Sequence, residues 1–535
     1  MRSVHAALVS FFLVASVTSW CAGCAGCAGC AGRGPRTDPD TLVYIFNEPD
    51  VDELDPRFAF NSNEVKVSRL VTSGLMAVDQ PTLEPRLDLA ERLDMIDALT
   101  WEVAVRPDAR FSDGTEVTAA DVIYTFRSVM DPAMKSPFRR QFEERLAGIE
   151  EIGPKSVRFR LKKPLATFRT DLDFGIVARH AAEAQGGRWK DGRCVGAGPF
   201  RVASMERGHV VLERNEHYHG GLSRSRRLVF RTMRDPNVRL LVLVGGSADI
   251  TQNTVRLDVV SEVAKSPRLK VLAGPSAVLT YLMFQNEDPI LRDPRVRKAI
   301  ALAIDRRKIV DRKFGGHAVL ATGIMPHGHW AYSGDVPTYP YDPARAGRLL
   351  DEAGYRDPDG AGPRPRFSLT YKTSADPFRV GVARVIAQEL EIVGIAVEVR
   401  SFEFATVLAD IKKGNFQLAS MQTAEIVEPD MHFVYFHSSR IPSKENPDLL
   451  NRWRYRNPEV DRLIEEGRHE PGRDKRRLIY AKLQRLVAEE LPIFPLWHED
   501  NVAVMRRDVA GYSILPNARL AGLARTGKEQ QKQEE

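Results

Sequence analysis

The sequence predicts an α/β fold built in more than one lobe, and three observations carry the prediction. The run Trp101 to Met130 holds a strand, a turn and a capped helix in close succession. The stretch from Phe367 to Met421 alternates strand, helix, strand, helix, strand, the rhythm of right-handed crossovers over a parallel sheet. Finally, 535 residues exceed what one hydrophobic core organises, which favours two or three lobes.

In the first of these, Trp101, Val103 and Val105 alternate with Glu102 and Ala104, the period of a strand with one buried face. Ser112-Asp113-Gly114 then gives a turn, since Asp bonds the backbone ahead of it and Gly tolerates a positive φ. Thr118 with Asp121 three residues on resembles a capping box with Asp in place of Glu. Val122, Phe126, Val129 and Met130 share the helical face behind it, and Asp131-Pro132 closes the helix.

Taken from its start, the chain runs through a Gly/Pro/Arg tether to a first strand, Thr41 to Phe46. Ser156 to Leu161 alternates as another strand. Cys194 to Phe200, CVGAGPF, is a glycine-rich turn entering a strand around Val202. It lacks the Lys-Ser/Thr of a nucleotide loop, so phosphate binding is not indicated. Strands at 210–213 and 228–233 follow, then an apolar helix from Asp235-Pro236 to Gly245-Gly246. Ala248-Asp249-Ile250 is short and strand-like, with Asn253 just past it. From about Tyr281 the texture changes to repeated helices and strands. Asp293-Pro294 and Asp342-Pro343 each place a cap ahead of a proline at the first helical position. Ligands of parallel sheets sit beyond the carboxyl ends of the strands. Those ends are Lys372-Thr373-Ser374, Ser401-Phe402 and Gln422-Thr423-Ala424-Glu425, which puts Glu425 at a cleft edge. A helix, Arg473 to Glu490, and a short apolar strand, Pro492 to His498, complete the pattern. The tail from Thr526, rich in Lys, Gln and Glu, is expected to be disordered.

Composition excludes some functions. The 77 basic and 71 acidic residues are spread along the whole chain, so the net charge of +6 gives no concentrated basic stripe and nucleic acid is not indicated. Arg2 precedes the apolar run AALVSFFLVASV, the length of a signal-peptide core and short of the ~18 residues that span a bilayer. Next comes CAGCAGCAGC. Ala22-Gly23-Cys24 resembles the end of a bacterial lipoprotein cleavage site, with Cys21 where that site usually carries Leu. The expectation is a signal peptide over 1–23, a lipid on Cys24 (Cys27 and Cys30 being the other acceptors) and a tether over 24–40. A zinc site is disfavoured because paired CxxC ligands need an intervening loop. Cys194 is the one cysteine of the folded body, so no disulfide framework is expected.

The run WEVAVRPDARFSDGTEVTAADVIYTF resembles the signature of the extracytoplasmic solute-binding proteins of family 5, which serve ABC importers of dipeptides, oligopeptides and nickel. EPDVDELDP (48 to 56), CVGAGPF (194 to 200), NEDPILRDPRVRKAIALAIDRRKIV (286 to 310), YDPARAGRLLDEAGY (341 to 355) and LPIFPLWHEDNVAVM (491 to 505) resemble further blocks of that family, in its order. The resemblance implies a two-lobed periplasmic-binding-protein-like fold of type II, with mixed sheets, flanking helices and a hinge. Lobe I would take 41–276 and regain the chain over 494–525, and lobe II would hold 277–493. It implies a monomer that closes on a small solute or short peptide and is read by permease subunits, with no catalytic step and no cofactor.

Peptide-binding relatives carry a loop of the type Gly-Trp-x-x-Asp-x-x-Asp-Pro-Asp, whose first Asp pairs with the ligand's ammonium group. Met421 to Asp430 matches it, with Glu425 at the anchoring carboxylate and Gln422 in place of Trp. Gln422 and Thr423 are therefore ligand candidates beside Glu425. More loosely, the resemblance offers Glu48, Asn253, Tyr281 and Trp497. Within the same fold, a nickel chelate, an opine or a glycan stays open as the solute, and so does a sensory role without a transporter. The rival from another class is a metal-dependent hydrolase using His317, His327 and His329, although neither HExxH nor a serine-hydrolase elbow is present.

Overall fold

The computed structural model describes residues 38–190, 192–360, 362–423 and 425–529. The expected signal peptide, the cysteine repeat with Cys24 and nearly all of the tether lie outside these residues. Among the described residues no helix is long and apolar enough to cross a membrane.

Two α/β bodies share the chain. The first is built on a seven-stranded sheet in the order Leu269–Gly274, Asn501–Arg506, Ile250–Gln252, Thr41–Phe46, Arg227–Thr232, His209–Arg214, Phe200–Glu206. A four-stranded antiparallel sheet, Ala90–Asp97, Thr100–Val105, Ser156–Leu161 and Leu146–Gly153, belongs to the same body. Trp101, Val103 and Val105 point from it into a core with Val122, Phe126 and Val129 of the helix Ala119–Met130. That helix starts where the sequence placed it: Asp121 Oδ2 accepts from the Thr118 N–H at 2.9 Å and from its hydroxyl at 2.6 Å.

The second body has a six-stranded sheet in the order Ala318–Leu320, Ile493–Glu499, Leu279–Phe284, Leu418–Gln422, Phe367–Ser374, Ile395–Phe402. Phe367–Ser374 pairs in parallel with both of its neighbours, as the alternation predicts, while Leu279–Phe284 runs antiparallel to its own. The helices Pro294–Ala303, Pro343–Glu352 and Pro377–Glu391 cover this sheet, each opened by an aspartate whose side chain accepts a backbone N–H of the first turn. That bond satisfies a donor the helix cannot use internally.

The glycine-rich turn has a packing role. A Cβ on Gly196 would stand 2.2 Å from the Val71 carbonyl oxygen, and one on Gly198 would stand 2.6 Å from that of Leu70. The turn therefore lies flat against the end of the helix Ser62–Val71.

Two expectations need correction. The strand Ile493–Glu499 pairs with Leu279–Phe284 and Ala318–Leu320, and Phe494, Leu496 and Trp497 join the second core, so the chain returns to the first body at Asp500 and not at Phe494. The tail is also ordered further than its composition suggests. Gly527–Lys528 pairs with Val509–Ala510, and the Thr526 hydroxyl donates to the Gly522 carbonyl at 2.8 Å; residues 530–535 lie outside the described residues.

The bodies are joined by two crossings, one between Gly274 and Leu279 and one at Asp500. They also touch away from these crossings. The Thr170 hydroxyl donates to Glu428 Oε2 at 2.9 Å, the Ala166 N–H donates to the Arg468 carbonyl at 2.9 Å, and Arg473 pairs with Glu84 at 3.1 Å.

Candidate ligand-binding site between the lobes

The loop after the strand Leu418–Gln422 is fixed on both sides of Glu425. The Thr423 N–H donates to the Leu279 carbonyl, and its hydroxyl accepts from the Leu279 N–H, both at 2.9 Å. Beyond Glu425, the Ile426 N–H donates to the Ala277 carbonyl at 2.9 Å. Glu428 is clamped by Arg476 and Asp430 by Arg468, each at 2.7 Å. An interlobe cavity of about 840 Å³ lies beside this loop, with Thr170 and Asp171 on one wall and Glu428, Asp430 and Phe433 on the other.

Opposite Glu425 the first body presents cations. Lys66 and Arg69 stand three residues apart, and so on one face, of the helix Ser62–Val71, whose start is fixed by a capping box between Asn61 and Glu64. Arg519 comes from the far end of the chain. Asp173 bridges the two arginines, at 2.8 Å from Arg69 and 2.7 Å from Arg519. Burial pushes the Glu425 carboxyl above its ordinary range, and the attraction of Arg519, Lys66 and Arg69 offsets only part of that cost. Lys66 is the mirror image: burial pushes its ammonium down and Glu425 offsets only part. Both residues are partly buried, and among the described residues neither is in an ion pair. A negative and a positive group thus face one another from opposite lobes, each short of a contact partner. Such an arrangement can hold a zwitterion without any bond being made or broken.

The other candidates from the sequence are engaged elsewhere. The Gln422 carbonyl oxygen accepts from Arg379 at 2.8 Å, and its amide donates to Glu499 Oε1 at 2.7 Å and to the Thr280 hydroxyl at 3.2 Å. Gln422 therefore ties the anchor strand to the residue just before the Asp500 crossing. Thr423 is spent on the Leu279 backbone. Tyr281 is buried with its ring edge-on to Trp453 at 5.7 Å, and Trp497 is buried 5.0 Å from Phe314. Asn253 closes the hinge: its amide donates to Asn501 Oδ1 at 2.8 Å, and its oxygen accepts from the Val502 N–H at 2.9 Å. Glu48 is exposed and pairs with Arg234 at 2.5 Å. Of the seven, Glu425 alone faces the cationic wall of the other lobe.

Sequence reasoning missed Lys66, Arg69, Arg519 and Asp173. The three-residue spacing of Lys66 and Arg69 behind a capped start was a readable signal; nothing local marks Arg519. The histidines considered for metal do not converge. His327 Nε2 lies 2.9 Å from the Tyr332 hydroxyl, His329 is buried with Nδ1 accepting from the Ala331 N–H, and His317 faces Asp500 at 3.7 Å. Among the described residues no group of three or more His, Cys, Asp or Glu is placed to hold a metal ion.

Comparison with known proteins adds the following. The profile described as "Bacterial extracellular solute-binding proteins, family 5 Middle" matches residues 84–443. The "Probable di/tripeptide-binding protein 5" of Pseudomonas aeruginosa is 31% identical over 460 residues, covering 81% of this chain and 85% of that protein. Among solved structures, the oligopeptide-binding protein AppA from Bacillus subtilis, in complex with a nonapeptide, superposes with a TM-score of 0.72 at 23% identity, covering 92% of this chain and 99% of the other. NikZ from Campylobacter jejuni, in complex with Ni(L-His), superposes at 0.75 with 24% identity, covering 92% and 100%. At these identities the structural likeness establishes the fold, a two-lobed periplasmic binding protein.

Proposed function

The chain belongs to the bacterial extracellular solute-binding proteins of family 5, and on that premise we propose that it is the binding component of an ABC importer, capturing a short peptide between its lobes and presenting it to a membrane permease. One observation carries the choice of solute. Glu425 and Lys66 are partly buried on opposite lobes and, among the described residues, are in no ion pair, so a zwitterion satisfies both, its ammonium at Glu425 and its carboxylate toward Lys66. The names of the relatives favour the same class. A ligand that touches both lobes stabilises the closed arrangement by its differential contacts, and closure is the signal a permease can read. The protein works as a monomer, held at the membrane through a lipid on Cys24.

Native mass spectrometry of the purified protein, followed by thermal shift against dipeptides and tripeptides, metal chelates and sugars, tests this. Peptides should raise the midpoint, since a ligand at a hundred times its Kd adds about 2.7 kcal/mol to stability. A rise with chelates or sugars alone would overturn peptide capture.

A further inference from the structure

Behind the anchor, the first lobe holds a cavity of about 650 Å³, within the range of about 300–1,000 Å³ that accommodates small ligands. Arg69, Asp173 and Arg519 line it and also form or support the wall facing Glu425, so the anchor and the cavity share those side chains.

The charges of the cavity are unbalanced. Among the described residues Arg69, Arg86, Arg106, Arg519 and Arg525 line it, against three aspartates. Each aspartate is already engaged: Asp79 by Arg86 at 2.6 Å, Asp88 by His219 at 2.9 Å, and Asp173 by the two arginines it bridges; Arg106 is taken up by Asp108, outside the cavity, at 2.9 Å, so the excess charge rests on Arg525. Arg525 is exposed at the rim and, among the described residues, makes no ion pair. His219 adds an unmet bond. Its side chain is 4% exposed, Nε2 is committed to Asp88, and the buried Nδ1 has no hydrogen-bond partner among the described residues. With Nε2 donating its N–H to Asp88, Nδ1 is left as the ring's acceptor, so a peptide N–H of the bound solute that reaches it relieves the cost of leaving a buried polar atom unpaired.

We infer that this cavity is a side-chain subsite of the solute site and that it selects solutes carrying a second carboxylate, such as peptides with an internal or terminal acidic side chain. The inference rests on peptide capture at Glu425. Arginine suits it, because its planar fork takes a carboxylate through two parallel bonds. Apolar lining from Leu70, Pro199, Ile514 and Leu515 keeps the charge out of bulk water, which strengthens the pairing.

The test uses matched pairs that differ in one charge, Ala-Glu-Ala against Ala-Gln-Ala and Ala-Ala-Glu against Ala-Ala-Gln, titrated calorimetrically into the full mature chain. At least one acidic member should bind tenfold or more tighter than its amide partner. Arg525→Ala and Arg86→Ala should each shrink that ratio to about threefold or less, while Arg400→Ala, an exposed arginine paired with Glu398 on another sheet, should leave it intact. Equal binding within both pairs would overturn the subsite and leave peptide capture standing. Binding by none of the four would overturn peptide capture, and the subsite with it.

Discussion

Replacing Glu425 by Gln removes the charge and keeps the shape. The loop should not move, because its fixings are the Leu279 and Ala277 backbone and the arginine clamps on Glu428 and Asp430. In the wild type the cations opposite offset only part of the burial cost of the carboxylate, so a ligand ammonium at contact distance supplies what is missing. Truncating one member of a desolvated charge pair costs about 2–5 kcal/mol. Glu425 is only partly buried and three cations already act on it, which favours the lower end, about 2 kcal/mol or thirtyfold in Kd. Calorimetric titration of Ala-Ala should show that loss in the variant. N-acetyl-Ala-Ala, which lacks the ammonium, should bind both proteins equally and weakly. Unchanged Ala-Ala affinity in Glu425→Gln, or tight wild-type binding of the acetylated peptide, would refute the anchor. The raised carboxyl also sets a pH sign. Binding an ammonium favours the ionised form, so affinity should fall as pH drops through the elevated Glu425 pKa, by up to about tenfold per unit. A rise in affinity on acidification would contradict the assignment.

Thr170→Val removes the bond to Glu428 that joins the lobes beside the interlobe cavity; it should weaken Ala-Ala binding about fivefold, for ~1 kcal/mol, with the melting midpoint of the free protein nearly unchanged. Full wild-type affinity would show that the contact does not favour closure. Gly196→Ala drives a methyl against the Val71 carbonyl, backbone that cannot step aside, and should cost ~3 kcal/mol or more in urea denaturation. Buried His329, His432 and His498 have pKa values lowered from 6.5 to about 3, 4 and 4, chiefly by burial. Because those folded values lie below the unfolded one, the stability their neutral forms provide is complete above about pH 6.5 and is lost as the pH falls. Near pH 5 each contributes a slope of ~1.4 kcal/mol per unit. His498→Gln should flatten the profile between pH 6.5 and 4 by one such share, and an unaltered slope would count against it.

What the sequence made legible was local. The Asp-Pro starts at 235, 293 and 342 are seen in the structure as caps because the aspartate, the proline and the waiting N–H groups lie within four residues of each other. The position of Glu425, just past the end of Leu418–Gln422, was readable from a rule about strand ends that needs only the order of elements. Tyr281 and Trp497 were misjudged because their strands are covered on both faces, and an apolar run cannot show which of its aromatics will reach a cleft. The cationic wall was illegible for a different reason. Lys66 and Arg519 stand near opposite ends of the chain and meet only because the last part of the sequence folds back onto the first body. The ordered tail was hidden in the same way: Gly527–Lys528 is set by a distant strand partner, and its Lys/Gln/Glu-rich surroundings mask it.

The place of Asn501–Arg506 has a consequence for how the molecule is made. That strand lies between Ile250–Gln252 and Leu269–Gly274, so during synthesis the first sheet waits with a slot open while more than two hundred residues emerge. The second body, continuous from Leu279 to Glu499, has its whole sheet available earlier and can finish first. The half that begins the chain is therefore the later half to mature, and truncation between Glu499 and Arg506 should leave a finished insert hanging from an unfinished host.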